Sequence, residues 1–126
     1  MSIRKIQTEK APAAVGPFSQ GCIAGDYLYL SGQGGFRPED GKVVPGGVKA
    51  EAEQLMQNIQ AILEEAGVDY SNVVKANCYL LDMADFGAFN EVYEKYFISR
   101  PARTCVAVRE LPLGIQCEVE IVAYLK

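Results

Sequence analysis

The chain has 126 residues, the length of one domain, and about half of them are apolar with no low-complexity tract. A net charge of −4, with no basic run longer than Arg4–Lys5, argues against a nucleic-acid partner. No stretch approaches the roughly 18 apolar residues of a membrane span, and the complete lack of histidine removes Ser-His-Asp and Cys-His catalysis, histidine bases and histidine metal ligands.

The N-terminal MSIRKIQTEK has no apolar core, so it does not read as a secretory signal and a cytoplasmic location is expected. Ile3 to Gln7 reads as a short strand, and Ala11 to Gln20, with Pro12, Gly16 and Pro17, as a loop. Gly21 to Ala24 and Tyr27 to Ser31 read as two strands around Gly25-Asp26, a type I′-style hairpin signal. Gly32 to Gly47 carries six glycines, Pro38 and Pro45, and a turn at Asp40; it reads as a flexible arm, and the P-loop spacing is absent. Val48 to Ala66 is the clearest helix. Val48, Ala52, Leu55, Ile59, Ile62 and Ala66 recur at three- and four-residue steps, with Glu51, Glu53, Gln57, Gln60 and Glu64 off that face. Gly67 supplies the stop. A turn at Asp69 to Asn72 leads to a strand, Val73 to Leu81. Asp82 or Asp85 caps a second, aromatic helix that runs to Tyr96 or Phe97 and packs Phe86, Phe89, Val92, Tyr93, Tyr96 and Phe97 into the core; Pro101 follows its end.

The last third reads as two strands, Thr104 to Val108 and Cys117 to Leu125, joined by a short connection containing Pro112 and Gly114. The order is β, β-hairpin, α, β, α, β, β in a single domain spanning 1–126. Two helices can cover only one face of such a sheet. The other is expected to carry Tyr27, Tyr29, Lys75, Asn77, Tyr79, Arg103, Cys105, Glu118, Val122 and Tyr124. That mixture is too aromatic for solvent and too charged for a private core, and it suits a subunit interface.

Arg103 and Glu118 are charged residues at strand positions. A guanidinium fork beside a carboxylate makes a site for a small carboxylate substrate and a water; an ordinary cross-strand ion pair is the alternative reading. Cys22, Cys78, Cys105 and Cys117 form no C-x-x-C pair, so no zinc site is expected, and each reads as a small buried hydrophobe.

RPARTCVAV at 100–108, followed by LP-x-G and CEVEIVAY, resembles the signature of the Rid (YjgF-type) family of imine deaminases. APAAVGPFSQG at 11–21, LYLSGQ at 28–33 and DFGAFNEVYEKYF at 85–97 are similar to that family's other recurrent segments, in order and at matching separations. The resemblance implies a chorismate-mutase-like α+β fold: a mixed sheet with two helices on one face, assembled as a homotrimer with clefts between subunits. It implies hydrolysis of 2-imino acids, or their 2-aminoacrylate enamine tautomers, to 2-keto acids and ammonia, without metal or organic cofactor and without nucleic acid or membrane as partner. A non-catalytic ligand- or protein-binding member and an RNA-cleaving translation inhibitor are the other roles attached to relatives.

By the same resemblance Arg103 grips the substrate carboxylate and Glu118 orients the attacking water. Gly32 and Cys105 line the pocket, the thiol as a wall rather than a nucleophile. Ser31 and Asn90 match a family hydroxyl and a family asparagine; a strand-end hydrogen bond and a capping or surface amide are the plainer roles. Phe18 stands where many relatives have tyrosine, which keeps an aromatic wall and loses a hydroxyl, and Gly114-Ile115 replaces the commoner Gly-Ala.

Overall fold

The computed structural model describes residues 2–126. Six strands form one sheet: β1 (Arg4–Ile6), β2 (Gly21–Ala24), β3 (Tyr27–Leu30), β4 (Val73–Leu80), β5 (Ala102–Ala107) and β6 (Cys117–Tyr124). Two helices, α1 (Val48–Glu65) and α2 (Phe86–Tyr96), lie across one face. The strand order is β1-β2-β3-β6-β4-β5. Every neighbouring pair is antiparallel except β4 and β5. A parallel pair needs a crossover, and α2 supplies it between β4 and β5. No helix of the described residues is long and apolar enough to cross a membrane.

Period-two alternation sorts the strands into two faces. Leu28 and Leu30 of β3, Ala76, Cys78 and Leu80 of β4, and Cys117, Val119, Ile121 and Ala123 of β6 are buried beneath the helices. Ala52, Leu55, Met56, Ile59, Ile62 and Leu63 of α1 close over them, with Phe89 and Val92 of α2 and Phe97 beyond its end. The apolar face of α1 therefore forms as the spacing predicts. Its stop is a Schellman motif: Gly67 sits at φ 81, its N–H donates to Glu64, and the Val68 N–H donates to Leu63.

Several details differ from expectation. β5 and β6 do not pair, because β4 lies between them. At the β2–β3 hairpin only Gly25 of the two loop residues takes positive φ, at 61, the pattern of a type II′ rather than a type I′ turn. Glu51 lies in the core, 4% exposed, not off the apolar face. Segment 32–47 is no loose arm. Asn58, fully buried, donates to the carbonyls of Gly34 (3.2 Å) and Phe36 (2.9 Å), and the chain at Gly35 runs so close to α1 that a Cβ there would sit 2.6 Å from Glu51 Cα. Asp82 caps a 3-10 turn at Met83–Asp85 by accepting from the Ala84 N–H, and that turn leads directly into α2.

Candidate functional site

Arg103 enters the sheet on β5 opposite Ala76, whose side chain is buried beneath the helices. Its own side chain therefore runs along the helix side. This corrects the placement of Arg103 and Cys105 on the open face; the other eight residues expected there, from Tyr27 to Tyr124, do lie on that face. Helix α2 builds the cage. Phe86, Asn90 and Tyr93 stand at four- and three-residue steps and share one helix face. Nη1 of Arg103 donates to Asn90 Oδ1 at 2.7 Å, and the guanidinium carbon lies 4.6 Å from the centre of the Tyr93 ring and 5.5 Å from that of Phe86. Stacking and one hydrogen bond orient the guanidinium. A guanidinium has five N–H donors, and Asn90 occupies one, so a fork remains for a carboxylate. The cleft beside it, about 300 Å³, is lined by Asn90, Tyr93, Glu94, Phe97, Arg100, Pro101 and Arg103. Arg100 takes φ 51, a left-handed conformation ahead of Pro101, where the chain turns from α2 into β5.

Cys105 follows Arg103 on the same side and faces Cys78 across the β4–β5 pair. Burial pushes both thiols up, Cys78 to about 12, while the Arg103 charge pulls the other way. The thiolate is disfavoured at both positions.

Glu118 lies on the opposite side of the sheet. It stands on β6 across from Tyr79, half-buried on the face that no helix covers. Burial, and then the neighbouring charge of Glu120, raise its proton affinity above that of an ordinary carboxylate. Gly32 forms the wall against it: a Cβ at that position would lie 2.9 Å from both Cδ and Oε2 of Glu118. The next residue, Gln33, exchanges two backbone hydrogen bonds with Val119, at 2.8 and 3.0 Å, and so fixes the Gly32 backbone alongside β6.

The remaining expected residues are Ser31 and Phe18. Ser31 Oγ donates to the Ser19 carbonyl at 2.6 Å, a structural tie that holds loop 12–20 to the end of β3. Gln20, buried, ties the same loop down by donating to the carbonyls of Thr8 (3.0 Å) and Pro12 (2.8 Å). Phe18, 51% exposed, projects from this loop into a different cleft, lined also by Lys5, Gln7 and Ala14. The expected site residues thus fall into two separate groups: Arg103, Asn90 and Cys105 on the helix side of an edge strand, and Glu118 and Gly32 on the open face. Among the described residues no ion pair joins Arg103 to Glu118, so the cross-strand pair is not formed. No group of three or more cysteine or carboxylate side chains suited to a metal occurs among the described residues.

Sequence reasoning placed Phe86 and Tyr93 in the core and missed them as the bed of Arg103. Their helical spacing with Asn90 carried that signal. The hydrogen bond from the Tyr79 phenol to Glu120 was also missed, because period two alone does not reveal it.

The sequence profile of the family described as Endoribonuclease L-PSP matches residues 8–125. A mouse protein named 2-iminobutanoate/2-iminopropanoate deaminase is 50% identical over 123 residues, which are 96% of this chain and 91% of the mouse protein. Among solved structures, RidA from the Antarctic bacterium Psychrobacter sp. superposes with a TM-score of 0.91 at 46% identity, covering 96% of this chain and 98% of that one. The structure of E. coli TdcF with bound serine superposes with a TM-score of 0.91 at 34% identity, again covering 96% and 98%. The chain belongs to the Endoribonuclease L-PSP family, the Rid or YjgF-type family of the sequence resemblance.

Proposed function

We propose that this protein hydrolyses 2-imino acids, and their 2-aminoacrylate enamine tautomers, to 2-keto acids and ammonia, at clefts between the subunits of a homotrimer. The observation that carries the reading is the division of the site. Arg103 and Glu118 have the chemistry for one substrate but lie on opposite sides of one sheet. A second copy that brings its open face against the edge strand β5 supplies the missing half. The open face favours such burial: Tyr27, Tyr29 and Tyr124 are exposed there, with Tyr79 and Val122 beside them. The mouse relative's name specifies imine substrates, and the serine held by TdcF carries the α-carboxylate that a guanidinium fork would grip.

In this scheme Arg103, oriented by Asn90 and Tyr93, binds the substrate carboxylate and positions the protonated imine. A water held by Glu118 adds its oxygen to the imine carbon and gives a proton to the carboxylate. The C=N π electrons become the nitrogen lone pair, giving a carbinolamine. Glu118 returns its proton to nitrogen, and the C–N bond breaks with its pair leaving on nitrogen. The hydroxyl oxygen closes to the keto group, and its proton leaves with the ammonia as ammonium. The protonated imine is already electrophilic, so positioning and one acid/base group suffice. The open face, with Glu118 and Glu120 exposed to it, would repel a phosphodiester backbone, which makes RNA a poor substrate there. A cytoplasmic location and the lack of a nucleic-acid or membrane partner belong to the same proposal. The test is an imine-hydrolysis assay in which an amino-acid oxidase generates the substrate in situ and semicarbazide traps what remains. No acceleration over the uncatalysed rate would contradict the assignment.

A further inference from the structure

Glu118 does not face the open side alone. Glu120 stands two residues along β6 on the same face, about 7 Å away by strand repeat. Tyr79 lies directly opposite Glu118 on β4, yet its phenol reaches diagonally and donates to Glu120 Oε1. Within one chain the titratable or charged groups beside the pair on this face are Tyr79, Lys75 and Tyr29, the last opposite Val122, and in the proposed trimer Arg103 of the partner subunit approaches Glu118 as well. Asn77 is opposite Glu120. Lys75 is one alternate position further along β4, opposite Val122, and its ammonium lies 3.5 Å from Thr104 Oγ1 rather than on either carboxylate. The segment packed against Glu118 from the β3 side, Gly32 and Gln33, brings no charge.

We propose that Tyr79 and Glu120 act as positioning residues for Glu118: the phenol pins a second carboxylate in its charged form beside it, and that charge makes Glu118 keep the proton taken from water until the departing nitrogen receives it. The proposal rests on the imine-hydrolase reading, which requires one carboxyl group to act first as base and then as acid. An isolated surface carboxylate holds a proton too weakly for the second role. The direction of the surrounding titrations agrees. The Tyr79 phenol is pushed up to about 12, first by its hydrogen bond to Glu120, and burial and then Glu120 raise the proton affinity of Glu118. A phenol that donates to a carboxylate stabilises its ionised form, and Glu118 lies in the field of that charge.

The test reads the carboxyl groups directly. Protein labelled with 13C at glutamate Cδ is titrated by NMR, with the two resonances assigned by their loss in Glu118→Gln and Glu120→Gln. Glu120→Gln keeps an acceptor for Tyr79 and removes the charge. It should lower the Glu118 midpoint by about half to one pH unit, the Coulomb effect of one charge at about 7 Å in a partly wet site. The acid limb of the kcat/KM profile should move by the same amount. Tyr79→Phe, a second and independent variant, should raise the Glu120 midpoint and bring the two titrations closer together. An unmoved Glu118 midpoint in folded Glu120→Gln, or an unmoved Glu120 midpoint in Tyr79→Phe, overturns the proposal. The NMR titration needs no substrate, so failure of the wild type to hydrolyse imines would overturn the functional reading while leaving the coupling measurable.

Discussion

Replacing Arg103 by lysine keeps the positive charge and removes three things the structure provides: the planar fork, the 2.7 Å hydrogen bond to Asn90 and the stacking on Tyr93. A charge-assisted bidentate contact in a sheltered site contributes about 1.5–3 kcal/mol. If that contact is made to the substrate, kcat/KM should fall on the order of 10- to 100-fold or more. The hydrogen bond and the stacking to α2 contribute to folding instead. Their loss should cost about 1–2 kcal/mol and lower Tm by several degrees while the chain stays folded. Both quantities are read on one preparation, imine hydrolysis with semicarbazide trapping and a thermal melt by circular dichroism. The combination matters, because α2 and the proposed substrate would draw on different donors of one guanidinium. An Arg103→Lys protein that melts several degrees lower but hydrolyses imines at the wild-type rate would show that Arg103 only pins α2 to β5, and the carboxylate-anchor argument would be refuted.

Gly32→Ala places a Cβ 2.9 Å from the Glu118 carboxyl group. The flexible side chain must move, and a displacement on the order of 1 Å should cost about 100-fold in turnover with little change in Tm; full activity would show that the Glu118 position is not critical. Glu118→Gln keeps the shape and removes the base, so kcat should fall by about 100-fold or more while KM changes little, as measured by steady-state kinetics. Burial raises the carboxyl pKa of Glu51, although its Oε1 accepts from the Gln116 N–H at 2.7 Å. A folded pKa above the unfolded value of about 4.3 means that the folded state binds more protons in that interval, so stability falls as pH rises through it. Glu51→Gln keeps an acceptor for Gln116 and should raise Tm at neutral pH, with the gain shrinking toward pH 4. A gain that grew as pH fell would contradict the burial argument.

What the sequence made legible follows physical range. The apolar stripe of α1 and the two faces of each strand are local periodicities, and they form as read. Glu51 and Asn58 escaped because burial of a polar side chain depends on partners distant in sequence. The Gln116 backbone N–H satisfies one, and the carbonyls of Gly34 and Phe36 satisfy the other. Alternation placed Arg103 with Cys105, but it cannot say which face of the sheet that set occupies. The charge suggested the open side, whereas Asn90 and two aromatic rings on α2 accommodate it under the helix. The short connection after β5 suggested that β5 and β6 pair. The parallel β4–β5 crossover places β4 between them, a non-local choice that no turn signal records. Residues 103 and 118 therefore carried the family's pattern in sequence while their spatial relation stayed hidden.

If Arg103 of one subunit and Glu118 of another complete one site, subunits with complementary defects should restore activity when they assemble together. Arg103→Ala and Glu118→Gln proteins, each inactive alone, are unfolded together in equal amounts, refolded, and assayed for imine hydrolysis. In a cyclic trimer each mixed assembly has one interface where an intact Arg103 meets an intact Glu118. Random mixing should therefore restore about one quarter of the wild-type activity. If the mixture, verified by native mass spectrometry to contain mixed trimers, stays as inactive as its parents, the two residues do not meet across a subunit interface and the account is wrong.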